Sequence, residues 1–172
     1  GGFSTPRVPA GVYKVVLKKG KEKFEHVFEL KYDSRTGLTQ ADRKLKHDTT
    51  MKLYRMTEEL AYLVYELDAI YENIENSNKK LAVKLQELKE TLVITKGDNY
   101  VGSSEPQLRE KISDLYSKVI GNYDKPSQSE IDAIKILETR FERAKRDFKK
   151  LKSKAKVIDL KLKSYDEFIS KK

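Results

Sequence analysis

The sequence contains no cysteine. That removes disulfides, thiol nucleophiles and cysteine metal ligands, although a cysteine-free chain suits either redox compartment. Nor is there an apolar run of about 18 residues, so no membrane-spanning helix is expected. A basic-then-apolar leader with a cleavage site is also missing. Histidine is limited to His26 and His47. The start at Gly1-Gly2, without methionine, is expected of a piece cut from something longer. What remains is 172 residues, 38% hydrophobic and 37% charged, a balance that suits long helices with much exposed surface around a modest core.

The net charge of +9 raises the question of a phosphate-bearing partner. The excess falls late, in "RFERAKRDFKKLKSKAKVIDLKLKSYDEFISKK" from Arg140 to Lys172. Its lysines alternate with regularly spaced apolar positions, as on the solvent face of an amphipathic helix. The alternative is a basic module for nucleic acid or an anionic surface, with Arg140, Arg143, Lys149, Lys150 and Lys152 as its candidate surface. Exposed aromatics for stacking, Arg clusters and a named motif are missing, which makes nucleic acid the weaker reading.

The strand signal is confined to the start. Tyr13, Val15 and Leu17 alternate with Lys14, Val16 and Lys18; after "KKGKE" a second run carries Phe24, His26, Phe28, Leu30 and Tyr32. Period two on both sides of Gly20 predicts a β-hairpin, entered through the Pro9-Gly11 bend. A lone hairpin is marginal in water, so its apolar face is expected to be covered by helices or by further strands.

From residue 39 onward the pattern is helical. Thr39 with Asp42 reads as a capping box opening a helix that carries Leu53, Met56, Leu60, Leu63, Leu67, Ile70 and Ile74. "ENSNKK" then predicts a turn near 75–80, before Leu81, Leu85, Leu88 and Leu92 resume the stripe. "TKGDNYVGSSEPQ" reads as a loop, with Ser104 and Pro106 starting a third helix that ends at Gly121. Ser127 and Glu130 form a second capping box. In the last helix Ile134, Phe141, Phe148, Ala155, Leu162 and Ile169 share one seven-residue register, and Leu137, Ala144, Leu151, Ile158 and Tyr165 its partner.

These signals predict a mainly α chain. Residues 1–36 form the hairpin and 37–172 an antiparallel bundle of four helices, two long and two short. The alternative has three helices, the first unbroken from about 40 to 93, because Leu53 to Leu88 keep one register through the turn. At 1.5 Å per residue the long helices would span about 54 and 60 Å, and the two would lie antiparallel. The structural residues expected to matter most are Tyr13, Phe24 and Phe28 in the hairpin, with Leu60, Leu67, Phe141 and Phe148 in the bundle seam.

Chemistry is harder to find. His26 and His47 lack metal-ligand spacing, and His26 is expected as a half-buried packing residue. "GDNYVGSS" lacks the Lys-Ser/Thr of a phosphate loop. No carboxylate pair is singled out for acid/base work. Tyr54, Tyr62, Tyr65 and Tyr71 fall at helical spacing, as core and rim residues do. No enzyme activity, cofactor or metal is expected of this chain.

Two stretches nevertheless resemble a family. "VPAGVYKVVLKKGKEKFEHVFELKYDSR" is similar to the "PPGtYtV.L...G......F.V..DPR" segment near the C-terminus of secreted bacterial glycosyl-hydrolase-like proteins with BNR or sortilin-type β-propellers. "LKETLVITKGD" and "QLREKISDLYSKVIGNYDKPSQSE" resemble that family's helical tail. Ser34 stands where the family usually has proline, and the segment between the first two helices is shorter. The resemblance implies that the hairpin ends an immunoglobulin- or fibronectin-like sandwich whose earlier strands lie upstream. It further implies a non-catalytic accessory domain of a secreted, periplasmic or cell-surface parent, packing on upstream domains or another protein. Any catalytic or sugar-binding residues would belong to the propellers, and a hydrolase label would not pass to this chain. A homodimer through the exposed hairpin edge is the further expectation.

Overall fold

The computed structural model describes residues 5–95, 104–155 and 160–170. Within them the chain forms β1 (Gly11–Lys19), β2 (Glu22–Leu30), α1 (Gln40–Ile74), α2 (Lys79–Leu92), α3 (Leu108–Gly121), α4 (Gln128–Ala155) and α5 (Tyr165–Ile169). The expected layout is present: a hairpin, then two long and two short helices, with the small α5 as an addition.

The strands pair antiparallel from Gly11↔Leu30 to Lys19↔Glu22, which leaves Gly20 and Lys21 as a two-residue loop. Gly20 sits at φ 60°, the conformation that glycine adopts without a steric penalty at the first central position of such a turn. Thr39 and Asp42 cap α1 reciprocally: the Asp42 backbone N–H donates to Thr39 Oγ1 at 3.1 Å and the Thr39 N–H donates to Asp42 Oδ2 at 3.1 Å. Ser127 and Glu130 do the same for α4, at 2.8 and 3.3 Å. At the other end of α1 the chain turns over residues 75–78, where the Asn78 side chain accepts the Leu81 N–H. That turn excludes the unbroken helix from 40 to 93. The third helix also differs slightly, because Gln107 rather than Ser104 caps it, with Glu110 as partner. Gly97 and Gly102 of the preceding loop, and Ile158, lie outside the described residues.

The direction of α4 corrects the length argument. Lys52 pairs with Glu138 at 2.8 Å, Lys145 with Glu59 at 3.1 Å and Lys152 with Glu66 at 2.5 Å. Both partners advance by seven at each step, so α1 and α4 run parallel. The reason is that α2 and α3 both descend along α1. Lys89 meets Asp68 near the top, Tyr116 meets Tyr54 lower down, and Lys46 donates to the Asn122 carbonyl at the bottom. Each 14-residue helix spans about 21 Å, so two in tandem are needed to match the length of α4. The bundle is therefore three rods, with the middle one split.

The same offset bears on the segment from residue 160 onward. Leu162 and Ile169, expected to extend the α4 stripe, would lie beside positions 76 and 83, beyond the end of α1 at Ile74. A continued helix would project an apolar stripe into water. Instead residues 160–164 are non-helical, and Ser164 and Glu167 cap α5, which folds back on α1. Tyr62 Oη donates to the Lys163 carbonyl at 3.0 Å, and Phe168 stacks on Tyr65 with ring centroids 5.1 Å apart.

One continuous core joins the rods. Leu53, Leu60, Leu67 and Ile70 from α1 meet Leu85 and Leu92 from α2, Ile112 and Val119 from α3, and Phe141 and Phe148 from α4. Among the described residues no buried side-chain polar atom lacks a hydrogen-bond partner, as expected of a close-packed interior.

Candidate functional site at the hairpin and its joint

The hairpin departs most from expectation. Tyr13, Val15 and Leu17 face Phe28, His26 and Phe24 on one side of the sheet. Leu17 is 62%, Phe24 54% and Phe28 39% exposed, whereas Leu67 is 0% and Phe141 2% exposed. Phe24 and Phe28 are thus not core residues, and His26 is exposed rather than half-buried. Period two identifies residues on a common face but says nothing about what covers that face. Among the described residues no helix packs on either strand. Tyr13 is half-buried, with contacts inside the hairpin segment: its ring lies 6.0 Å from Phe28, and its hydroxyl donates to the Pro9 carbonyl at 2.5 Å.

The opposite face carries Lys14, Lys23 and Glu25, in ion pairs of 2.5 Å each. Those lysines hold the Glu25 carboxyl below its usual range. That face also exposes Val12, Val16 and Val27 between its ion pairs, so both faces are open and the one with Leu17, Phe24 and Phe28 carries the larger apolar groups.

Among the described residues the hairpin meets the bundle only at its base. Tyr32, just past β2, lies under the Arg43 guanidinium, 4.2 Å from its ring centroid. Arg43 Nε donates to the Leu38 carbonyl at 3.2 Å and Nη2 to Thr36 Oγ1 at 2.6 Å. Asp33 accepts Nη2 of Arg35 at 2.7 Å, and that guanidinium lowers the carboxyl pKa. Between these groups and the foot of α1 and α3 opens a cavity of about 300 Å³, lined in part by Arg7, Arg43, Lys46 and His47. Partial burial, then the charge of Arg7, depresses the Lys46 pKa, with Asp124 opposing. Its walls come from segments far apart in sequence, so no local motif announced it.

The remaining candidates separate clearly. Leu60, Leu67, Phe141 and Phe148 are buried in one core. Arg140, Arg143, Lys149, Lys150 and Lys152 are all exposed on α4. Arg143 and Lys150 share Asp147, at 3.9 and 3.3 Å, and Lys152 reaches across to Glu66. Tyr54 and Tyr71 pack against the core, whereas Tyr62 and Tyr65 receive α5. Among the described residues no group of three or more metal-ligating side chains is placed to hold an ion, and no helix is long and apolar enough to cross a membrane. No family model matches the sequence, and neither a curated protein nor a solved structure matches it.

Proposed function

We propose that this chain is a non-catalytic accessory module that presents its hairpin to another protein surface, with the bundle as spacer and anchor. The observation that carries this reading is the open apolar face of Val15, Leu17, Phe24 and Phe28 on a sheet that no helix covers among the described residues. A two-stranded sheet gains stability from added strands or a covering layer, because both its edges and one apolar face are otherwise left in water. The occupant we favour is the upstream part of a secreted glycosyl-hydrolase-like β-propeller parent, in the periplasm or at the cell surface, which follows from the sequence resemblance. A second copy of the chain joined through the same hairpin is the other occupant. Catalytic and sugar-binding roles are assigned to none of these residues.

The basic alternative gains less. The α4 cations are spread along the helix, and Asp147 of α4 and Glu66 of α1 take up three of them, so the charge forms no concentrated, uncompensated stripe.

A photo-reactive residue placed at Val15 tests the reading, with Ile136 as control, since that α4 residue is also exposed. In the native cells, Val15 is expected to give one discrete protein adduct, or a self-adduct of twice the mass, while Ile136 gives none. Equal labelling from both positions, or none from Val15, contradicts the proposal.

A further inference from the structure

We propose that the cavity between the hairpin base and the foot of the bundle is a binding site for a small organic anion, a carboxylate or phosphate head on a short apolar or aromatic body. This goes beyond the interaction reading and does not depend on it. The cavity holds about 300 Å³, the lower end of the range of small-molecule sites. Arg7, Arg43, Lys46 and His47 line it, and no Asp or Glu does.

Three of the neighbouring acids are held by other cations. Asp33 is held by Arg35 at 2.7 Å, Asp42 by Lys125 at 2.9 Å, and Asp48 by Lys44. Among the described residues Arg7, Arg43 and Lys46 make no ion pair, although Asp124 lies near enough to act on Lys46, and Asp33 and Arg43 on each other, electrostatically. Arg7, Arg43, Lys46 and His47 converge on one opening. Arg43 is already oriented by its bonds to Leu38 and Thr36, which leaves Nη1 without a partner among the described residues. Lys46 spends one donor on the Asn122 carbonyl and has others to offer.

The rest of the wall suits an apolar body: Tyr32, Leu38 and Ile120 contribute an aromatic ring and two aliphatic chains. Arg7 to Pro9 and Tyr32 belong to the two ends of the hairpin, whereas Lys46 and Ile120 belong to α1 and α3. A bound anion would therefore bridge sheet and bundle.

The test is an amide-shift titration of the full chain, at constant ionic strength, with phenyl phosphate, benzoate, inorganic phosphate and neutral phenol. Phenyl phosphate or benzoate is expected to give saturable shifts at Arg7, Arg43, Lys46 and Gly121, with inorganic phosphate weaker and phenol weakest. Lys46→Gln and Arg7→Gln, each removing one charged donor, should each weaken that binding about tenfold or more. Lys149→Gln on α4 should leave it unchanged. Non-saturating shifts that follow basic charge along α4, no saturable shift with any anion, or full affinity in both donor variants would overturn the site.

Discussion

Phe141 and Phe24 are the same residue type in two regions that share one chain and little else. Phe141 lies in a seam between three rods, at 2% exposure, while Phe24 lies on a sheet face with 54% of its surface in water. In the bundle each apolar stripe has a facing stripe at the same height, fixed by the steady offset between α1 and α4. In the hairpin the apolar face has, among the described residues, only its own cross-strand neighbours. The lesson is that an amphipathic pattern states a need for a partner, and among the described residues only the bundle satisfies that need.

The sharpest way to break this contrast is to truncate both rings. Phe141→Ala is expected to cost about 3–5 kcal/mol, the range for emptying a packed aromatic site, and to lower the denaturant midpoint of helical circular dichroism. Phe24→Ala should move that midpoint by less than about 0.5 kcal/mol. Equal effects would mean that hairpin and bundle unfold as one unit. Next in size is the cap of α1, where Thr39→Ala should cost about 1 kcal/mol in the same denaturation experiment.

Acid gives a second reading of that cap. Thr39 first, then Lys125, holds the Asp42 carboxyl at about 2, below its ordinary 3.8. A depressed carboxylate contributes stability above its unfolded pKa and loses it as pH falls through the folded value. Stability should therefore drop between about pH 4 and 2, and Asp42→Asn should flatten that part of the profile in thermal melts; an unchanged slope would remove Asp42 from the account. The smallest global effect is expected from Gly20→Ala, since φ 60° disfavours any side chain. It should broaden or shift the amide signals of β1 and β2 and leave the melting of the bundle in place.

Much of this was readable from residue spacing, and the reasons are physical. The capping boxes Thr39–Asp42 and Ser127–Glu130 are contacts three residues apart, so local sequence contains them whole. The buried faces of α1 and α4 follow from the 3.6-residue turn, which brought Leu60, Leu67, Phe141 and Phe148 into view. The course of the chain between helices was not contained in any stripe. The parallel run of α1 and α4 depends on α3 continuing in the direction of α2, and the fold-back of α5 depends on where α1 stops. The open face of Phe24 and Phe28 escaped for the same reason, because alternation is blind to what lies opposite. The joint cavity is the extreme case: Arg7, Arg43 and Ile120 meet only through the assembled fold, and nothing in their spacing marks them.

Native-state hydrogen exchange on the full chain at low concentration tests the central claim most directly. If the bundle is self-sufficient and the hairpin awaits a partner, the amides of Leu60, Leu67 and Phe141 will exchange only through global unfolding. Hydrogen-bonded hairpin amides will exchange through local opening at a small fraction of that free energy. Hairpin protection equal to that of the bundle, in a monomer, would show that the sheet needs no partner and would contradict the account.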